Sequence, residues 1–177
     1  MERVLERGKE PEPEQSIYDV IYKHRSDFRS QREQGAVVIK GKEMPWQQDR
    51  QALSRYYSYP KLWPQHAVPY WILFQIRVHK QSGKHTHQGG LALFVLEGKG
   101  YTVVDGVRYD WKKHDLVLLP IKPGGCEHQH FNADPDNPAE WAAFIFDPTS
   151  EAMGHPLEQK EEDKGWQQGP AGVGHQA

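Results

Sequence analysis

The stretch that decides the fold is GKHTHQGGLALFVLEGKG, residues 83–100. Its first half sets His85 and His87 one residue apart, and its second half is an apolar run closed by Gly98 and Gly100. On an extended strand, residues i and i+2 face the same way, so the two imidazoles stand side by side with Cα atoms about 6.6 Å apart. Ring nitrogens on such a pair reach a shared ion at about 2.0–2.1 Å each. A third ligand must come from elsewhere, and CEHQHFN, residues 126–132, repeats the device with His128 and His130. Solvated histidines have no reason to fall into that register twice. The spacing indicates a metal site whose third ligand is either His128 or His130.

Outward from this stretch the chain reads as strands. AVVIKG (36–41) reads as a short strand, and PYWILFQIRVHK (69–80) alternates as a strand over 72–78, with Gln75 and Arg77 on one face. LALFVLE, YTVVDGVRYDW, DLVLLP, EHQHFN and EWAAFIFD follow between turn signals, and the Asp105–Gly106 pair between apolar runs marks a hairpin. Short strands at this spacing, without helical patterns between them, predict an all-β sandwich or barrel. Upstream, SIYDVIYKHRSDFRSQREQG (16–35) predicts a helix capped by Ser16 and stopped by Gly35. Its face of Ile17, Val20, Ile21 and Phe28 suits packing on a sheet or on a partner subunit. MPWQQDRQALSRYYSYPKLWPQH (44–66) reads as a long connection with one helical turn.

The expected organisation is a mobile charged arm over 1–15, an N-terminal helix and connecting segment over 16–68, a barrel core over 69–148, and a polar disordered tail over 149–177. His155 and His175 fall in or near that tail and read as ordinary surface residues.

Bulk composition narrows the classes. With 177 residues there is room for one ordinary domain, and the formal net charge of −2 gives no basic footprint for nucleic acid. No apolar run approaches the roughly 20 residues of a membrane helix, and the charged N-terminus has no hydrophobic stretch of a secretory signal. The single cysteine, Cys126, forms no internal disulfide and fits a reducing cytoplasm. Cys126 reads as a small buried filler.

The paired motifs resemble those of the cupin superfamily. HTHQGGLALFVLEGKG is similar to its first motif, except that Ala92, or the nearby Gly89 and Gly90, stands where a glutamate ligand is usual. PGGCEHQHFN is similar to its second motif through Pro123, Gly125, His128 and Asn132. DLVLLP precedes it, with His114 in place of a usual glycine. The resemblance covers Trp71 to Phe146 and implies a double-stranded β-helix, a jelly-roll barrel with the N-terminal helical arm outside it. Loss of the glutamate resembles the gentisate and salicylate 1,2-dioxygenase group, which uses three histidines. Two departures from that group stand: this chain has one such domain where those enzymes have two, and Glu127 where they carry a tryptophan.

By that resemblance His85, His87 and His128 are the metal ligands and His130 faces the substrate, the reverse assignment of His128 and His130 being the alternative. It implies a divalent metal, Fe(II) first, with Mn, Ni, Zn and Cu also compatible with imidazole. The expected activity is dioxygenation of a small aromatic or enolic acid, with a small anionic substrate and O2 as partners and a homo-oligomeric state. Decarboxylase, isomerase or lyase chemistry, or ligand binding without catalysis, are the alternatives. Arg77 is a candidate carboxylate clamp, and Gln88 a candidate hydrogen-bond donor to a bound oxygen. Arg108, after the hairpin turn, reads as a surface residue.

Overall fold

The computed structural model describes residues 16–154 and 157–165. The expected arm at 1–15, both tail histidines and the last twelve residues lie outside the described residues.

Among the described residues, eleven strands make two antiparallel sheets. One runs in the order β1 (Gln47–Gln48), β2 (Leu53–Ser58), β3 (Trp71–Val78), β10 (Ala139–Phe146), β5 (Leu91–Glu97), β8 (Leu116–Leu119). The other is β11 (Leu157–Glu161), β4 (Lys84–His87), β9 (Cys126–Asn132), β6 (Lys99–Val104), β7 (Val107–Lys112). Apart from the run β1–β2–β3 and the β6–β7 hairpin, neighbours in space are distant in sequence, the double-sheet jelly roll that the strand pattern predicts.

The core lies between the sheets. In β10, Ala139, Trp141, Ala143 and Ile145 are buried, while Glu140, Ala142, Phe144 and Phe146 face the other way. Leu91, Leu93 and Val95 of β5 and Ile76 and Val78 of β3 meet them, with Trp111 and Cys126 from the opposite sheet. Fully burying each aliphatic side chain of this set is worth about 1.5–3 kcal/mol. The β6–β7 hairpin turns at Asp105 (φ 48°) and Gly106 (φ 83°), the left-handed pair that suits a two-residue turn. His114 also sits at positive φ, 75°. A side chain there strains the backbone by about 1–2 kcal/mol, which is why a glycine is favoured at such a place.

Three expectations are corrected. AVVIKG forms no strand: only Ala36 bridges, to His66, while Val37 and Val38 are left exposed. Residues 53–58, read as part of a connection, form β2, whose two buried positions are Ser54 and Ser58. Serines at inward positions erase the apolar alternation that marks a strand. The tail expected to be disordered from 149 supplies α2 (Asp147–Ala152) and β11, which pairs with β4 alongside His85 and His87. Lys84 and Lys160 both pair with Glu127, at 3.0 and 2.7 Å, and tie β11 and β4 to β9.

The N-terminal helix, α1, spans Ile17–Glu33, and Ser16 accepts from Asp19 N–H at 3.4 Å. It buries none of its residues within the chain. Phe28 approaches Tyr70 at 6.2 Å between ring centroids, and Arg32 donates to the carbonyls of Pro64 and His66.

Candidate metal centre

β4 and β9 are adjacent antiparallel strands with His85 opposite His128 and His87 opposite Cys126. The i, i+2 pair on β4 and the inward positions of β9 therefore share one wall of the barrel interior. Gly125 permits this closeness: a Cβ there would lie 2.8 Å from the His87 carbonyl oxygen, and its φ is 86°. Asn132, at the far end of β9, gives its amide to the carbonyls of His79, Asp134 and Asn137 at 3.0, 2.8 and 2.7 Å. It shapes a loop and does not join the histidines.

One ligand atom from each of His85, His87 and His128 lies within 4.8 Å of the other two, and among the described residues no carboxylate or thiol joins the group. His87 and His128 are buried and His85 is half-buried, so the site is approachable from the His85 side. His130, also buried, stands beside His128 with ring centroids 5.4 Å apart.

Proton positions follow from the hydrogen bonds. His128 Nδ1 faces the Cys126 carbonyl at 3.0 Å. A carbonyl only accepts, so that nitrogen carries the proton and Nε2 carries a lone pair. His85 Nε2 stands 2.7 Å from that lone pair and donates to it. His87 Nδ1 accepts from Gly89 N–H at 3.0 Å, which puts the His87 proton on Nε2. Thr102 Oγ1 accepts from Trp111 Nε1–H at 2.9 Å and lies 2.8 Å from His130 Nδ1. Thr102 is fully buried, and the acceptor found for its hydroxyl proton is His130 Nδ1. His130 thus keeps its own proton on Nε2, as a donor.

A divalent ion fits this set with small adjustments. Nitrogens at about 2.0–2.1 Å from one ion are about 2.9–3.4 Å apart, so the 2.7 Å His85–His128 contact must open by a few tenths of an ångström. His85 must then hold its proton on Nδ1 instead of Nε2. The His128 ring is already oriented, its outer nitrogen fixed by a backbone carbonyl.

Burial pushes His128 down to about 4 and His130 well below the ordinary range, and lowers His66 as well. All three are therefore neutral in the folded chain at pH 7. Unfolded, each takes up a proton near 6.5, so folding is fully favoured above that pH and loses stability as pH falls toward 4. Denaturant midpoints of metal-free protein should fall steadily between pH 7 and pH 5. A flat or rising trend contradicts the neutral assignment.

Two expected site residues lie elsewhere. Arg77 alternates with the core residues Ile76 and Val78, so it faces the outside of the barrel, where Nε donates to Glu140 at 2.6 Å and the guanidinium lies 4.4 Å from the Trp46 ring centroid. The structure does not bring it to the histidines. Gln88 donates Nε2 to the Lys122 carbonyl at 2.9 Å, tying the β4–β5 connection to the loop before β9. Ala92, at the usual glutamate position, faces the outer surface beside Phe144 and Leu118. Arg108 pairs with Asp110 and lies over Tyr101 at the surface. Sequence reasoning missed Trp141, an indole on the opposite sheet whose ring lies 4.9 Å from that of His130. Its Nε1–H is buried without a hydrogen-bond partner among the described residues, at a cost of about 1–3 kcal/mol for an unmade bond. An inward Trp in a strand signals core, and nothing in its spacing pairs it with β9.

Residues 72–146 match the family described as Cupin domain. A comparison with curated proteins finds no match. Among solved structures, the chain is similar to a Cupin 2 conserved barrel domain protein from Salinispora arenicola (19% identity, 67% of this chain, 95% of that chain, TM-score 0.50). It is also similar to a predicted oxalate decarboxylase from Thermotoga maritima (16% identity, 62% of this chain, 98% of that chain, TM-score 0.50). A variant of salicylate 1,2-dioxygenase from Pseudoaminobacter salicylatoxidans aligns at 18% identity over 85% of this chain and 52% of that chain, with a TM-score of 0.44. The two likenesses with a TM-score of 0.50 speak for the fold and leave the reaction to the residues of the site.

Proposed function

We propose, since residues 72–146 match the family described as Cupin domain, that His85, His87 and His128 hold one divalent metal ion and that the chain is a metal-dependent enzyme for a small aromatic or enolic acid. The observation that carries this reading is the convergence of three imidazole donors within 4.8 Å. When bound, an ion held by three neutral imidazoles keeps its full double charge and supplies Lewis-acid polarisation and, as Fe(II), dioxygen chemistry.

The surrounding residues support this role. The Cys126 carbonyl orients His128. Thr102, itself fixed by Trp111, holds His130 as an Nε2–H donor, able to stabilise an oxygen that gains negative charge and unable to act as a base while Thr102 occupies Nδ1. Trp111 and Trp141, both buried, keep water from the inner side of His130. With Arg77 on the outer surface, the ion itself supplies positive charge that draws an anionic substrate.

Dioxygenation is the first reading. The second is a non-redox decarboxylation or isomerisation, favoured by a ligand set that imidazole softness alone does not restrict to iron. Oxygen uptake measured with Fe(II)-loaded protein and a panel including gentisate and salicylate separates them. Uptake coupled to substrate loss is the expected result. Substrate loss without uptake moves the assignment to the second reading, and binding without turnover contradicts both.

A further inference from the structure

We infer that Trp141 is a specificity residue, its indole N–H donating to an oxygen atom of the small molecule that binds beside His130. The inference rests on the function proposed above and names what that site selects: a flat molecule with an acceptor oxygen at its inner end.

The starting point is a contrast between two tryptophans. Trp111 and Trp141 are both buried and pack edge to face, with centroids 5.6 Å apart. Trp111 Nε1–H reaches Thr102 at 2.9 Å, and that bond continues to His130. Trp141 is 1% exposed, and its identical donor finds no hydrogen-bond partner among the described residues. Native interiors rarely leave an N–H in that state, and an acceptor oxygen of a bound molecule would complete it.

Position adds to the contrast. Trp141 comes from β10, on the sheet opposite the histidines, and its same-face neighbours Ala139 and Ala143 are small. The indole is thus free to span the interior until it meets His130 at 4.9 Å. If the position only needed apolar bulk, phenylalanine would fill it without an orphaned donor. His130, held as a donor by Thr102, stands on the triad side of the same indole. Two N–H groups of this kind favour a ligand rich in acceptors, so that carboxylate, carbonyl and phenolate oxygens fit and an amine does not.

The test uses 15N-labelled full-length protein loaded with Zn(II), which suits imidazole ligands and is diamagnetic. Salicylate, benzoate and phenol are the probes, the last two separating a carboxylate from a phenolic oxygen. Trp141→Phe identifies the Trp141 indole resonance. At least one probe is expected to move that resonance downfield while the Trp111 resonance, already bonded, stays in place. Trp141→Phe should bind the same probe about tenfold more weakly with unchanged zinc content. An unmoved resonance with all three probes, or affinity within twofold of the parent, overturns the inference. A wild-type protein that takes up no zinc yet shifts the Trp141 resonance contradicts the metal reading and leaves the anchor standing.

Discussion

Replacing His85 with alanine is expected to weaken divalent-metal binding on the order of 100-fold while the barrel remains folded. His85 is half-buried, so truncation opens its side of the site without emptying the core. One of the three donors disappears, and the remaining two imidazoles cannot hold the ion as tightly. His87→Ala acts in the same direction. His128 is almost fully buried, so its truncation also leaves a cavity, and His85 is the cleaner experiment. His130→Ala is the control, because His130 lies outside the converging group and metal content should persist. Competition titration reads the affinity, and a melting curve reports the fold. Normal metal affinity in the His85 variant would show that the ion, if bound, is held by other residues.

Gly100→Ala is expected to be among the most damaging single methyl additions in the barrel. A Cβ at Gly100 would lie 2.0 Å from the Phe131 carbonyl oxygen and 2.6 Å from the Trp111 ring. Neither is a flexible chain end. Phe131 O belongs to β9, beside the histidines, and Trp111 is the first link of the chain through Thr102 to His130. Overpacking of this kind costs about 3 kcal/mol or more, a fall of about 6–12 °C in melting temperature for a chain of this size. Because the displaced ring releases Thr102, His130 should lose its fixed tautomer as well. A variant that melts within 2 °C of the parent would mean that the β6–β9 approach is looser than the structure shows.

Much of this was legible in the sequence for definite reasons. Residues 91–97 and 139–146 alternate between a buried and an open face, so periodicity reveals them. Asp105–Gly106 demands positive φ, which names its turn. His85 and His87 share a face because strands repeat every two residues, and the cross-strand partner His128 lies in a second copy of the same pattern. What escaped was whatever depends on which strands become neighbours. Leu53–Ser58 is hidden because its buried positions are serines, and β11 because its register comes from β4 and not from its own polar side chains. Val37 and Val38 have strand chemistry without a strand to pair with. Arg77 is the plainest failure. Its alternation placed it correctly with Gln75, on a face away from Ile76 and Val78, but which face looks inward is fixed by the opposite sheet. Trp141 is the converse, because its spacing marks it as core and only the packing of two sheets puts it against His130.

The central claim is that three imidazoles from two neighbouring strands hold a single ion. X-ray absorption at the metal edge of protein loaded to one equivalent tests it most directly. The expected spectrum has about three imidazole nitrogens at about 2.0–2.2 Å with the outer-shell scattering of their rings. A first shell of sulfur or of water oxygens without imidazole scattering, or failure to retain any ion through dialysis, would contradict it.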